Sequence, residues 1–434
     1  MAVRVGMGSL TEARAISLSR PLIAILTATL LRLVLSVIPS HGYDSFAYKH
    51  WTWRLVYEPL TQFYIDDGQA FPDHLPGDLW LLKFLGSTAR FADPGVDFYG
   101  PVYGTMIALM ATGFDALLAI ALLAIGRWMV SERPALIAAT AYWCAPAPIF
   151  AASVWGQTDG ISAALAVVAL CLALRGRFSV SFLVLTLCVL VKPQFAMLAL
   201  PLLVGWWRHD CHSRYSWFGR VFATGLMCVV LLAIASAPFG MSLVGEWGIW
   251  SLLERIQFAS DRYPTSTLGA HNIWILSDPL NAAPGDAAPW VFGLSRHLVG
   301  VLLFVGVVLY VCWLCAVRWR GLITMVVASN VLMLGFVLTA TRMHERYLFP
   351  VAGLSILLAL LDHRYMRYAI AINSLVFANI ALRFVWPQND EWEGALYFVG
   401  MRWLEHGVVV RFLAFATIVV FGWIVIVEGR RTRP

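Results

Sequence analysis

About a dozen apolar stretches of 14 to 26 residues recur along this 434-residue chain, separated mostly by short polar gaps. Nothing constrains its folding more. A bilayer's hydrocarbon core is roughly 30 Å thick and takes about 20 helical residues to cross. Inside that core every backbone amide must be paired within its own segment, which leaves helices as the spanning form for runs of this length. The expected spans are 21–38, 101–126, 134–152, 158–174, 178–191, 194–207, 218–239, 293–316, 322–340, 347–361, 366–385 and 406–427. The sequence therefore predicts an all-α polytopic membrane protein, one transmembrane domain over residues 1–434.

Composition agrees: 60% of residues are hydrophobic and 13% are charged, about half the charged share of an ordinary soluble domain. A single globular core stops growing at roughly 250 to 300 residues, so lipid must solvate much of this surface. Residues 1–20 carry Arg4, Glu12, Arg14 and Arg20 without an apolar run or cleavage site. The first apolar segment is accordingly expected to be a retained helix.

The net charge of +6 is spread over the gaps between spans, which argues for membrane topology rather than a nucleic-acid partner. With the N-terminus inside, 17 of the 31 Lys and Arg fall in cytoplasmic segments, Arg127, Arg133, Arg175, Arg177, Arg364 and Arg367 among them. Both termini are then cytoplasmic. The three long gaps, 39–100, 240–292 and 386–405, become outer loops.

Six of the seven cysteines lie in expected spans and none in an outer loop, so no disulfide framework is expected outside. The Cys312–Cys315 spacing reads as small core residues of an apolar helix rather than a redox or metal pair.

In the first outer loop, residues 45–58 interleave Phe46, Trp51 and Trp53 with Lys49, His50 and Arg54, a pattern suited to an interfacial helix. Leu79–Leu85 is too short to span. The second loop has a similar stretch from Gly245. Asp44, just past the first span, fits either of two roles: a base for an attacking hydroxyl or a helix cap.

Lys192 follows a run of about 14 residues, roughly 21 Å of helix, so its turn should sit below the outer surface. It either snorkels to water or meets a lipid phosphate. Arg342, His344, Glu345 and Arg346 crowd another outer turn. Arginines there suit an anion, and internal Glu345–Arg346 pairing is the alternative. Gln157 and Asp159 lie in the turn WGQTDG, where turn formation is itself a sufficient role. Arg32 and Asp115 are the two charges expected to be buried mid-span. Counting residues from the helix ends puts them about 12 Å apart in depth, so they are not expected to pair.

Together these motifs resemble the GT-C glycosyltransferases, most closely the bacterial membrane mannosyltransferases related to the second mannosyltransferase of glycosylphosphatidylinositol synthesis. The resemblance runs in order through Tyr43-Asp44, Asp73-His74-Leu75-Pro76-Gly77, Asp115, Trp155 to Asp159, Lys192-Pro193-Gln194, Tyr263-Pro264-Thr265 with Asn272-Ile273-Trp274, and Met343 to Tyr347. His74-Leu75 departs from the Tyr-Pro of relatives.

The resemblance implies inverting transfer of a hexose, mannose in the relatives, from a polyprenyl-phosphate donor to a glycan, lipid or protein acceptor on the outer face of a bacterial plasma membrane. No cofactor is implied, the lipid-linked sugar being a substrate. Residue by residue it makes Asp44 the base or the residue orienting the acceptor hydroxyl. Lys192, Arg342, His344 and Arg346 become donor-phosphate contacts, and Gln157, Asp159 and Gln194 sugar or acceptor contacts. Asp73, Asn272 and Glu345 are further substrate-binding positions. A secondary transporter and a ligase using another lipid-linked sugar are the competing readings. The long outer loops and the want of an internal hydropathy repeat speak against the transporter.

Overall fold

The computed structural model describes residues 7–38, 42–65, 69–210, 214–241, 249–277, 284–384 and 407–430. About 80% is helical, and the described residues include no strand. The helices run α1 (Met7–Ser36), α2 (Gly42–Tyr57), α3 (Pro76–Ala92), α4 (Pro101–Met129), α5 (Glu132–Trp143), the single turn α6 (Pro146–Pro148), α7 (Asp159–Leu174) and α8 (Phe178–Val191). There follow α9 (Ala199–Asp210), α10 (Arg214–Ser236), α11 (Ile249–Asp261), α12 (Arg296–Val317), α13 (Ile323–Thr339), α14 (Phe349–Leu361), α15 (Met366–Phe384) and α16 (Gly407–Arg430).

Among the described residues, five helical segments are long and apolar enough to cross a membrane: Pro101–Met129, Ser216–Phe239, Arg296–Val317, His363–Leu382 and Gly407–Arg430. The bent pair Glu132–Trp143 and Pro146–Val154 makes a sixth if taken as one span. Large apolar side chains such as Leu26 and Leu30 on α1, Phe222 on α10 and Leu309 on α12 point outward. Outward-facing apolar surface of this kind suits lipid. The remaining expected spans include α7, α8 and α13, at 16, 14 and 17 residues.

Two apolar cores organise the packing. The larger joins α4, α5, α7, α8, α9, α13, α14 and α15. The smaller gathers Tyr48, Trp51 and Leu55 of α2, Leu79 and Leu82 of α3, and Tyr103 and Ile107 of α4, with Phe239 and Met241. The first turns of α4 thus belong to an outer layer built with the first loop. In that layer α2 buries His50, Trp51 and Arg54, while Phe46, Trp53 and Tyr57 stay exposed. The segment 79–85 is the middle of the 17-residue helix α3.

That layer overturns the expectation for Arg32 and Asp115. Arg32 Nη1 lies 2.9 Å from Asp115 Oδ2 with both side chains fully buried. Roughly the first ten residues of α4 stand in the outer layer beside α2, about 15 Å at 1.5 Å per residue. Counting from the helix ends therefore placed Asp115 too deep. Cys312 also departs from expectation. Cys315 is buried, whereas Cys312 is exposed, and both are free thiols. The expected third outer loop, 386–405, lies outside the described residues.

Candidate functional site

Four turns bring the polar residues of the two layers together. The first is the start of α2, whose first turn carries Asp44. The second follows a π-helical turn at Ile149–Val154. There Gly156, at φ +69°, takes a left-handed conformation that side-chain-bearing residues avoid. This reversal lets Trp155 and Gln157, on either side of it, reach one carboxylate.

Asp44 Oδ2 accepts from Trp155 Nε1 at 2.9 Å and from Gln157 Nε2 at 2.6 Å. Arg346 Nη1 lies 3.5 Å from the same oxygen. Two donors and a guanidinium charge thus converge on one carboxylate oxygen. Tyr48 then donates to Gln157 Oε1 at 3.0 Å, which fixes the amide's orientation.

The third turn ends α8. A residue before proline is driven out of the helical region, and Lys192, preceding Pro193, is extended at φ −140° and ψ 109°. Its side chain is 7% exposed. Burial opposes its charge, but Asp159 and Asp78 outweigh that and hold its pKa above the ordinary lysine value. Gly77 seats the first loop here. A Cβ at that position would stand 2.6 Å from the Leu190 carbonyl carbon, so only glycine lets the start of α3 reach α8. Asp78 is thereby delivered to Lys192.

The fourth turn is Glu345–Leu348. Arg346 Nε lies 3.5 Å from Asp159 Oδ2, and its Nη1 lies 3.3 Å from Glu345 Oε1. Burial works against the Arg346 charge, yet Asp44, Glu345 and Asp159 raise its pKa well above the usual arginine value. Charges therefore alternate through the site, with Arg346 between Asp44 and Asp159, and Lys192 between Asp159 and Asp78. Several buried polar atoms beside this chain have no hydrogen-bond partner: both Asp159 carboxylate oxygens, Asp78 Oδ1, Gln194 Nε2 and Arg346 Nε. Leaving such atoms unmade costs about 1–3 kcal/mol each. Atoms of this kind are met by water, by an ion or by a polar ligand.

Asp44, Gln157, Asp159, Lys192, Glu345 and Arg346 are thus brought together, with Gln194 one turn past Lys192. Asp73 lies at the edge, 4.0 Å from His74 Nε2. Arg342 goes elsewhere. At φ +65° it turns away to Asp286 at 2.7 Å and Asp261 at 2.6 Å, tying the end of α11 to the segment after residue 284. His344 stacks edge-on with Tyr263 and Tyr347, and its backbone bridges Leu268 and Gly269. Asn272 caps its own turn through Trp274 N at 3.2 Å, while its Nδ2 is buried without a partner.

Tyr48 and Asp78 are site residues outside the motifs, and His74, Trp155 and Thr158 lie within motifs that gave them no role of their own. Thr158 Oγ1 donates to Asp78 Oδ2 at 3.1 Å, and His74 Nδ1 meets the same oxygen at 2.5 Å. The signal was the i, i+4 spacing of His74 and Asp78 across Pro76-Gly77, at the start of a helix. A cavity of about 1200 Å³, lined by Ile137, Ala141, Ile356, Ile370 and Phe377 among others, opens toward the far end of α14 and shares no residue with this cluster. Compared with known proteins, the chain matches no family model and no curated protein.

Proposed function

We propose that this protein is a multi-pass membrane glycosyltransferase of the GT-C type, moving a hexose from a polyprenyl-phosphate donor to a hydroxyl acceptor with inversion. The observation that carries the reading is the gathering of part-buried Arg346, 3.5 Å from both Asp44 and Asp159, with buried Lys192, whose charge Asp159 and Asp78 favour, at one end of the bundle. A phosphate leaving group departs with negative charge, and fixed cations stabilise it. Lys192 and Arg346 are the groups for that task. Asp44 and Gln157 orient the reacting groups, and Asp159 and Gln194 bind hydroxyls of the sugar.

In this reading the chain crosses the membrane twelve times, with both termini cytoplasmic. Helix α1 and the shorter helices α7, α8, α9, α13 and α14 complete the count, and the site opens on the outer face of a bacterial plasma membrane. Mannose is the sugar that the resemblance favours.

A proton-coupled transporter is the second reading. The alternating series Asp44, Arg346, Asp159, Lys192 and Asp78 favours it, because chains of buried titratable groups also serve as proton relays. One experiment separates the two. Purified protein in liposomes is given a panel of radiolabelled polyprenyl-phosphate sugars and membrane acceptors. Label appearing on an acceptor supports transfer. Solute movement with the lipid-linked sugar left unconsumed overturns it.

A further inference from the structure

The first loop contains a histidine–carboxylate dyad. Asp78 is completely buried, and its Oδ2 lies 2.5 Å from His74 Nδ1. Lys192 is a charge neighbour and Thr158 donates to the same oxygen. Asp78 Oδ2 thus already serves as an acceptor where it meets the ring. The ring's Nδ1 is therefore the donor, and in the neutral imidazole this leaves Nε2 as the acceptor. A carboxylate behind one nitrogen, fixing tautomer and ring orientation, is how a histidine is prepared to take a proton at the other.

The ring is held on its sides as well. Trp51 packs against it at 4.8 Å between centroids and Tyr48 at 5.6 Å, while the His74 carbonyl accepts from Tyr64 Oη at 2.9 Å. The imidazole edge opposite Asp78 faces Asp73, whose Oδ1 is 4.0 Å from Nε2. A hydroxyl seated there would meet an acceptor nitrogen and a carboxylate together. Asp44, by contrast, has its Oδ2 committed to Trp155, Gln157 and Arg346, an arrangement that suits holding Arg346.

We propose that His74, backed by Asp78, is the general base of this site and that Asp73 and His74 receive the acceptor hydroxyl. This rests on the glycosyl-transfer reading above. The hydroxyl O–H bond breaks and its proton passes to His74 Nε2. The oxygen forms a bond to C1 of the sugar, and the bond from C1 to the phosphate oxygen breaks. The phosphate leaves with the electron pair.

The test uses the full-length protein in nanodiscs, with transfer rates for His74→Ala, His74→Asn and Asp44→Asn measured with and without added imidazole. His74→Asn keeps a donor for Asp78 and so guards against misfolding of the alanine variant. A positioned base contributes about 10²–10⁴-fold. Both His74 variants are expected to lose at least about 100-fold in kcat with donor KM little changed. Imidazole should restore His74→Ala by about tenfold or more and leave Asp44→Asn unrestored, a split that a purely structural role for His74 would not give. Wild-type-like kcat in the His74 variants, or a loss that imidazole does not touch, overturns the assignment of His74 and leaves glycosyl transfer standing. A wild-type protein that transfers no sugar overturns both.

Discussion

The Arg32 guanidinium reaches two elements at once: its Nη1 donates to Asp115 at 2.9 Å, while Nε and Nη2 donate to the Trp143 carbonyl at 3.2 and 3.1 Å. That carbonyl lies at the end of α5, where Pro146 stops the helix from continuing. Arg32 thus stands in for a lost backbone donor and pins the bend leading to Trp155 and Gln157. Tyr142 Oη completes the set on Asp115 Oδ1 at 2.7 Å. Breaking a buried pair from one side leaves a stranded charge, at a cost of about 3–5 kcal/mol. Asp115→Ala is expected to lower the melting temperature of the detergent-solubilised protein severely. The double change Arg32→Met with Asp115→Leu should do less harm than Asp115→Ala alone. Equal melting curves for Asp115→Ala and the parent would remove the pair from the stability of the bundle.

Gly77 offers a test of how the first loop is docked. An added methyl group would meet the Leu190 and Val191 backbone at 2.6 to 2.8 Å, and backbone cannot rotate away as a side chain end can. Gly77→Ala should cost about 1–3 kcal/mol and open residues 58–100 to limited proteolysis, with cleavage mapped by mass spectrometry. A protease pattern like that of the parent would contradict this packing.

His271 gives a pH dependence with a defined sign. Burial pushes its pKa down from 6.5 to about 4, with Glu345 pulling weakly the other way. The folded protein therefore holds this ring neutral, while the unfolded chain protonates it below about pH 6.5. Its contribution is complete above that pH and is lost as pH falls toward 4. The shift corresponds to at most about 3 kcal/mol. Chemical unfolding of wild type and His271→Asn at pH 7 and pH 4.5 should show a smaller acid loss in the variant.

Much of the helical layout was legible in the sequence because apolar runs of membrane length have few other uses. The polar site was half legible. Asp44, Gln157, Asp159, Lys192 and Arg346 stand at the ends of apolar runs, where a charge has few neighbours to hide among. The His74–Asp78 spacing could be read, but the approach of Asp78 to Lys192 could not, because it depends on a glycine-permitted backbone contact between α3 and α8. Arg342 and Arg346 show a further limit. They sit four residues apart in one turn with the same charge, yet the fold-back after residue 284 brings Asp286 to the first, whereas the second faces Asp44. Arg32 and Asp115 were misjudged because a helix can begin in an outer layer well above its neighbours. Residue counting has no access to that offset.

Asp44→Asn keeps the shape of the side chain and removes its charge. The amide would face Gln157 Nε2 and Arg346 with half its acceptors replaced by a donor, so both partners would reorient. If the protein transfers sugar as proposed, the rate is expected to fall at least about 100-fold, the scale of losing a positioned polar group in an active site, with expression and melting temperature preserved. Full activity in this variant would take Asp44 out of the reaction.

Lys192 tests the donor side. Two carboxylates, Asp159 and Asp78, hold its charge, so removing it affects the protein as well as a bound phosphate. Lys192→Ala strands two carboxylates, whereas Lys192→Arg keeps the charge while changing where it is presented. If Lys192 meets the donor phosphate, a charge-assisted contact of about 1.5–3 kcal/mol is lost, or roughly 10- to 150-fold in kcat/KM for the donor. The Ala variant should show this deficit with acceptor KM unchanged, and the Arg variant should recover part of it. A deficit that falls equally on donor and acceptor would instead mark Lys192 as a counter-ion that holds Asp78 and Asp159 in place.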